Sequence, residues 1–86
     1  MYFVYILTSL NEKNRSYVGL TQNIARRVNE HNTKQFNYTK KFAPWKLCAY
    51  IAFENKILAK NFEKYLKSGS GFAFLKKRFF ESFVKN

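Results

Sequence analysis

The opening run Met1-Tyr2-Phe3-Val4-Tyr5-Ile6-Leu7 constrains the fold more than any other stretch of the chain. Residues 2–9 carry aromatic and aliphatic side chains on both alternating faces, and such a strand is stable only where both faces are covered. The run lacks a basic n-region and a small-residue cleavage site, and no uninterrupted apolar stretch approaches membrane-spanning length. It is therefore expected to be a core strand, not a signal segment. A polar turn follows at Asn11-Glu12-Lys13-Asn14, and Ser16 to Leu20 forms a second short strand containing Gly19, which completes a β-hairpin.

Thr21 or Asn23 can cap a helix running to about His31, with Asn32 able to end it. Residues 32–45 have no clear period and Pro44 bars a helix there, so this is expected to be a long connection, of the kind that is often functional. Lys46 to Phe53 is a third strand. From Asn55 to Ser68 a helix places Leu58, Ala59, Phe62, Tyr65 and Leu66 on one face and Lys56, Lys60, Lys64 and Lys67 opposite. Ser68-Gly69-Ser70-Gly71 breaks it, and a last helix from about Phe72 puts Phe72, Leu75, Phe79 and Phe83 on a common face. The expected fold is a single α/β (α+β) domain over residues 1–86: a three-stranded antiparallel sheet flanked by helices, in the order β-β-α-β-α-α.

A core assembled from 86 residues is thin, and the 20% aromatic content offsets this, since each large ring buries much area. Sixteen Lys and Arg against five acidic residues give a net charge of +11, which calls for a polyanionic partner. Nucleic acid and an anionic membrane surface both qualify on charge. The amphipathic helices argue against the membrane, because each apolar face is needed to cover the sheet. Cys48 is the only cysteine, which excludes an internal disulfide and a cysteine-based zinc site and fits a reducing, cytoplasmic setting.

Several residues then fall in a telling order. Phe3-Val4-Tyr5 lies on the first strand and Tyr17-Val18-Gly19 on the second. Arg27 follows ten residues after Tyr17, His31 and Asn32 close the same helix, and Glu63 lies on the later one. This set resembles the GIY-YIG nuclease family, with Phe3-Val4-Tyr5 where the family has Gly-Ile-Tyr and Tyr17-Val18-Gly19 where it has Tyr-Ile-Gly. Tyr38-Thr39-Lys40 through Pro44, Leu47 and Tyr50 also resembles the small, free-standing bacterial members, so the likeness covers nearly the whole chain. Two positions depart from the pattern. Phe3 replaces the first glycine, and Leu20 stands where the repair-nuclease branch carries a lysine.

The resemblance implies a divalent-metal-dependent endonuclease that hydrolyses DNA phosphodiester bonds, in repair or processing. Such hydrolysis needs a base for the attacking water, positive charge on the phosphoryl oxygens and stabilisation of the leaving oxygen. Arg27 suits the second task, since a guanidinium holds two oxygens and stays charged. Glu63 is the expected ligand for Mg²⁺ or Mn²⁺, facing the leaving oxygen, because a Mg²⁺-like ion is commonly held by one or two carboxylates plus water and substrate. The family likeness points to Tyr17 as base and Tyr5 as the group that positions water, with His31 sharing the proton traffic. Helical geometry separates Arg27 from Arg26: at about 100° per residue, Arg27 flanks the buried direction set by Ile24 and Val28, while Arg26 points nearly opposite, toward phosphate or solvent. Arg26, Lys34, Tyr38, Lys40, Lys41 and Lys67 are the expected nucleic-acid contacts, lysines for the backbone and rings for the bases.

Each residue also has a plain explanation when taken singly. Strand tyrosines are usually packing residues, helix arginines are usually solvated, a histidine on an apolar flank is usually a hydrogen-bonded boundary residue, and Glu63 with Lys67 makes an ordinary i, i+4 pair. Independent explanations do not predict this order and spacing together; a shared site does. The family's sequence-specific members carry additional DNA-binding domains. Recognition here is therefore expected to rest on DNA shape, on branched or single strands, or on a targeting protein partner. Two alternatives remain: a non-catalytic nucleic-acid-binding module that keeps the fold, for which Phe3 and Leu20 speak, and an RNA- or ribosome-associated basic protein.

Overall fold

In the computed structural model, which describes residues 1–33 and 35–80, the apolar N-terminal run is β1 (Tyr2–Ser9), the middle strand of a three-stranded antiparallel sheet. It lies between β2 (Ser16–Thr21) and β3 (Trp45–Phe53). The central place is what two apolar faces demand: Val4, Tyr5, Ile6 and Leu7 are all buried. Val4 and Ile6 pack with Val18 against Ala59, Leu66 and Leu75 on one side. Tyr5 and Leu7 pack with Trp45 on the other, where Tyr17, Val28, Phe42 and Leu47 close over them.

The hairpin joining β1 to β2 pairs Tyr5 with Gly19 and Leu7 with Tyr17. Its turn uses Asn14 at φ 67°, a left-handed conformation that asparagine tolerates. Asn23 caps α1 (Ile24–Asn32) through a hydrogen bond from the Arg26 N–H, and the Thr21 hydroxyl accepts from the Asn23 N–H at 3.1 Å. Both expected capping residues therefore act at this helix start.

Pairing of β1 with β3 skips a residue between Ile6↔Ala49 and Leu7↔Leu47, so Cys48 is a β-bulge. The bulge matters to the site. It sends Cys48 and Ala49 to the same side of the sheet as Ile6, and leaves Leu47 and Trp45 on the side of Tyr5 and Leu7. Cys48 is a free, half-buried thiol whose pKa is pushed up by burial, with Lys46 opposing.

Residues 32–45, expected to contain no helix, hold one short helical turn, α2 (Asn37–Lys40). Pro44 restricts itself and Ala43 but leaves residues four and more positions upstream free to turn. Asn55 caps α3 (Lys56–Leu66), accepting from the N–H groups of Ile57 and Leu58. The buried stripe of α3 is narrower than its sequence suggests: Ala59 and Leu66 are buried and Phe62 partly so, but Leu58 is 57% and Tyr65 43% exposed. Ala59 lets the helix approach the sheet closely, and the contact line then runs through positions i, i+3 and i+7. Leu58 and Tyr65 each lie one residue, about 100°, to one side of it.

The glycine-serine segment both ends α3 and begins α4 (Gly69–Leu75), which starts three residues earlier than expected because the Ser68 side chain caps it through the Gly71 N–H. Gly71 and Leu75, one turn apart, carry the contact with the core, so Phe72 is exposed and not part of the buried face; Phe79 is partly buried. A π-helical turn, Lys76–Phe80, follows. Lys34 and Phe83 lie outside the described residues. Among those described, no helix is long and apolar enough to cross a membrane.

Candidate active site

The site is built from β1, β2 and α1, where the register sets Tyr5 and Tyr17 on the same side of the sheet as α1. Tyr5, at the centre of β1, is 2% exposed, and its ring lies across the backbone of Gly19 on the neighbouring strand. A Cβ at Gly19 would overlap the Tyr5 phenol, so the glycine is what allows the ring to lie there. Burial holds the Tyr5 hydroxyl well above the ordinary tyrosine pKa. Tyr17, Glu63 and Glu30 push in the same direction, against the opposing charge of Arg27. Tyr5 is therefore a neutral phenol, suited to hydrogen bonding and not to abstracting a proton.

Its hydroxyl lies 2.9 Å from Nε2 of His31, which α1 delivers from its last turn. His31 is 2% exposed, and its other nitrogen, Nδ1, lies 2.8 Å from the Thr39 hydroxyl on α2. Burial lowers the His31 pKa, and Arg27 lowers it further, with Glu30 opposing. The imidazole is accordingly neutral near pH 7. The rings of Tyr5, Tyr17 and His31 converge with centroids 4.9 to 6.3 Å apart.

Arg27 borders this cluster as its helical angle requires. Its guanidinium lies 5.7 Å from the Phe36 ring centroid and Nε stands 3.3 Å from Glu30 Oε1. That contact is an ion pair without hydrogen-bond alignment, so the buried Nε has no hydrogen-bond partner among the described residues. Arg26 is more exposed and reaches the same Glu30 only at 3.9 Å, on the outer side of the helix. Glu63, from α3, carries the Lys67 ammonium at 3.1 Å, and that ammonium lies 5.7 Å from the Tyr17 ring centroid. The i, i+4 pair is thus real and also faces the tyrosines, since Glu63 is one of the charges acting on Tyr5.

The loop completes one wall. Tyr38 is half-exposed, 6.3 Å from Tyr17 and 5.5 Å from Phe42, while Lys40 and Lys41 lie exposed beside it. Trp45 packs instead of facing solvent, and its Nε1–H donates to the Thr39 carbonyl.

A family model for the GIY-YIG catalytic domain matches residues 1–78. The chain belongs to the GIY-YIG family. Its function is thereby nuclease-type and its substrate a nucleic acid. No curated protein matches the chain closely enough to narrow this further. In this GIY-YIG domain Tyr5, Tyr17 and His31 come together, with Arg27 and Glu63 within electrostatic reach of Tyr5. Arg26, Lys40 and Lys41 stay outside that cluster, on the surface.

Two participants had no sequence signal strong enough to single them out. Thr39 is one of them, because nothing periodic links it to His31, eight residues earlier; only its place in Tyr38-Thr39-Lys40 pointed to it. Glu30 is the other, legible in retrospect from its i+3 and i+4 spacing to Arg27 and Arg26.

Proposed function

We propose that this protein is a divalent-metal-dependent endonuclease that cuts DNA, recognising strand structure more than base sequence, in repair or processing. The observation that carries this reading is the convergence of two strand tyrosines and a neutral histidine beside a partly unpaired guanidinium and a carboxylate. Arg27 binds the phosphoryl oxygens, its buried Nε gaining the acceptor it lacks among the described residues. Tyr17, on the edge strand, takes the proton of the attacking water. Tyr5 orients that water while held by His31.

Among the described residues no three His, Cys, Asp or Glu side chains gather into a closed metal site. The donor set suits a hard cation that keeps most of its waters and takes one carboxylate, so Glu63 would hold Mg²⁺ or Mn²⁺. When bound, such an ion stabilises charge on the leaving oxygen. Lys67, paired with Glu63 in its absence, is then free for a phosphate. Lys40 and Lys41 contact the backbone, and Tyr38 offers a ring to a base beside the cleaved bond.

Labelled duplex, branched and single-stranded DNA incubated with Mg²⁺ or Mn²⁺ tests the reading. Cleavage is expected to fall by about 100-fold or more in Arg27→Ala, as when a transition-state donor is removed, and to vanish in Glu63→Ala. Cutting that survives both changes, or that persists in EDTA, would overturn the assignment. Tighter binding to structured RNA than to any DNA at fixed salt would favour the RNA-associated alternative.

A further inference from the structure

Thr39 has no place in the reaction outlined above, yet it is 1% exposed and its hydroxyl touches the one histidine of the chain. We propose that Thr39 is a positioning residue: its hydroxyl donates to Nδ1 of His31, which places the imidazole proton on Nε2, makes Tyr5 the acceptor, and leaves the Tyr5 hydroxyl hydrogen for a substrate or water oxygen.

Proton counting along the chain Thr39–His31–Tyr5 leads to this arrangement. A buried hydroxyl hydrogen requires an acceptor. Nδ1 of His31 is the only hydrogen-bond partner of the Thr39 hydroxyl among the described residues, so the Thr39 hydrogen goes there. Burial and Arg27 keep the imidazole neutral, with a single N–H. With Nδ1 accepting, that N–H is on Nε2, 2.9 Å from the Tyr5 oxygen. Tyr5 retains its own hydrogen, and that hydrogen cannot point at a nitrogen already donating to it. Each order leaves one hydroxyl hydrogen without a partner among the described residues. The reverse order, Nδ1–H to Thr39 and Tyr5 to Nε2, leaves that of Thr39, to which the reaction offers no acceptor. The proposed order leaves that of Tyr5, which the reaction sets against a water or substrate oxygen.

The position of Thr39 is itself fixed. It lies in the single turn α2, and its carbonyl accepts the Trp45 indole N–H at 2.8 Å. The Asn32 amide in turn clamps the Trp45 backbone from both sides, donating to the carbonyl and accepting from the N–H. The loop is thereby registered against the end of α1, and the hydroxyl is delivered to Nδ1 by backbone anchors on both sides of the site.

The choice between the two orders and its catalytic consequence both rest on the nuclease reading, but tautomer and activity are measured separately. Because His31 is the only histidine, ¹⁵N spectra of the imidazole report it without assignment ambiguity. The wild-type protein at neutral pH is expected to show a single tautomer protonated at Nε2. Thr39→Val, which removes the hydroxyl at nearly constant shape, is expected to lose that fixed tautomer. Its kcat is expected to fall about 10- to 100-fold at unchanged KM, by analogy with the loss seen when the groups that orient a metal-ligating imidazole are removed. Thr39→Ser should restore both. A wild-type imidazole protonated at Nδ1 overturns the proposal even if Thr39→Val fails to fold. So does a folded Thr39→Val protein with an unchanged imidazole spectrum. A wild-type protein that shows the Nε2 tautomer but cuts no nucleic acid refutes the nuclease reading and leaves the hydrogen-bond chain standing.

Discussion

Gly19 and Tyr5 face each other across the β1–β2 register, and the absence of one side chain is what lets the other lie flat. Tyr5 is packed on all sides, so a methyl group at position 19 cannot be accommodated by swinging the ring into empty space. Gly19→Ala is therefore expected to destabilise the protein by about 1–3 kcal/mol, the cost of overpacking, and to separate the Tyr5 hydroxyl from His31. Urea unfolding measures the first effect and the imidazole spectrum the second. A variant of unchanged stability and spectrum would show that the ring has room that the structure denies it. His31 makes a second expectation. Its folded pKa lies below the unfolded value of 6.5, so between the two the unfolded chain binds more protons than the folded one. Stability contributed by the neutral imidazole is thus complete above about pH 6.5 and is lost as pH falls through the lowered folded value. Unfolding free energy measured from pH 8 to pH 4 should fall in that window for the wild type and more shallowly for His31→Gln; parallel curves would refute the attribution.

At the scale of elements, the join between α3 and α4 is the closest of the approaches made at the chain's three glycines. A Cβ at Gly71 would collide with the backbone carbonyl of Tyr65, and backbone cannot rotate away as a side chain can. Gly71→Ala is expected to cost about 2 kcal/mol or more, against almost nothing for Gly69→Ala, where a Cβ meets open space. Equal urea midpoints for the two variants would contradict the packing described. The same join shows where sequence pattern stops being informative. Strands β1 and β2 and helix α1 were legible because two-sided apolar alternation and side-chain caps are local signals, and they fix Tyr5, Tyr17 and the flank of Arg27. The face of α4 was not legible. Four glycine and serine residues look like a break in any local reading, and only the capping hydroxyl of Ser68 and the close approach at Gly71 turn them into the start of a helix. Thr39 escaped for a related reason: its importance comes from a tertiary hydrogen bond that no period in the chain anticipates.

For the molecule as a whole, charge was legible from composition alone, and its distribution gives the last expectation. A net charge of +11 on 86 residues gives strong, salt-sensitive attraction to any nucleic acid, while the residues proposed for the chemistry carry little of it. Arg27 is partly paired with Glu30 and Lys67 with Glu63, whereas Lys40 and Lys41 lie exposed beside the half-exposed Tyr38. If the two lysines bind phosphates, removing them should weaken binding alike for every sequence and lower the magnitude of the slope of log K against log salt by about 2, one for each phosphate no longer neutralised. Tyr38→Ala should behave differently, because a stacked ring releases no counterions: affinity for single strands is expected to drop by about 1–3 kcal/mol at an unchanged slope. Titrations of fluorescent single-stranded and duplex DNA over a several-fold range of salt, in EDTA to prevent cutting, separate the two roles. A Lys40→Ala, Lys41→Ala protein with the wild-type slope would place the phosphate track elsewhere on the basic surface, and a Tyr38→Ala protein with a reduced slope would mean that the ring acts by placing those lysines and not by meeting a base.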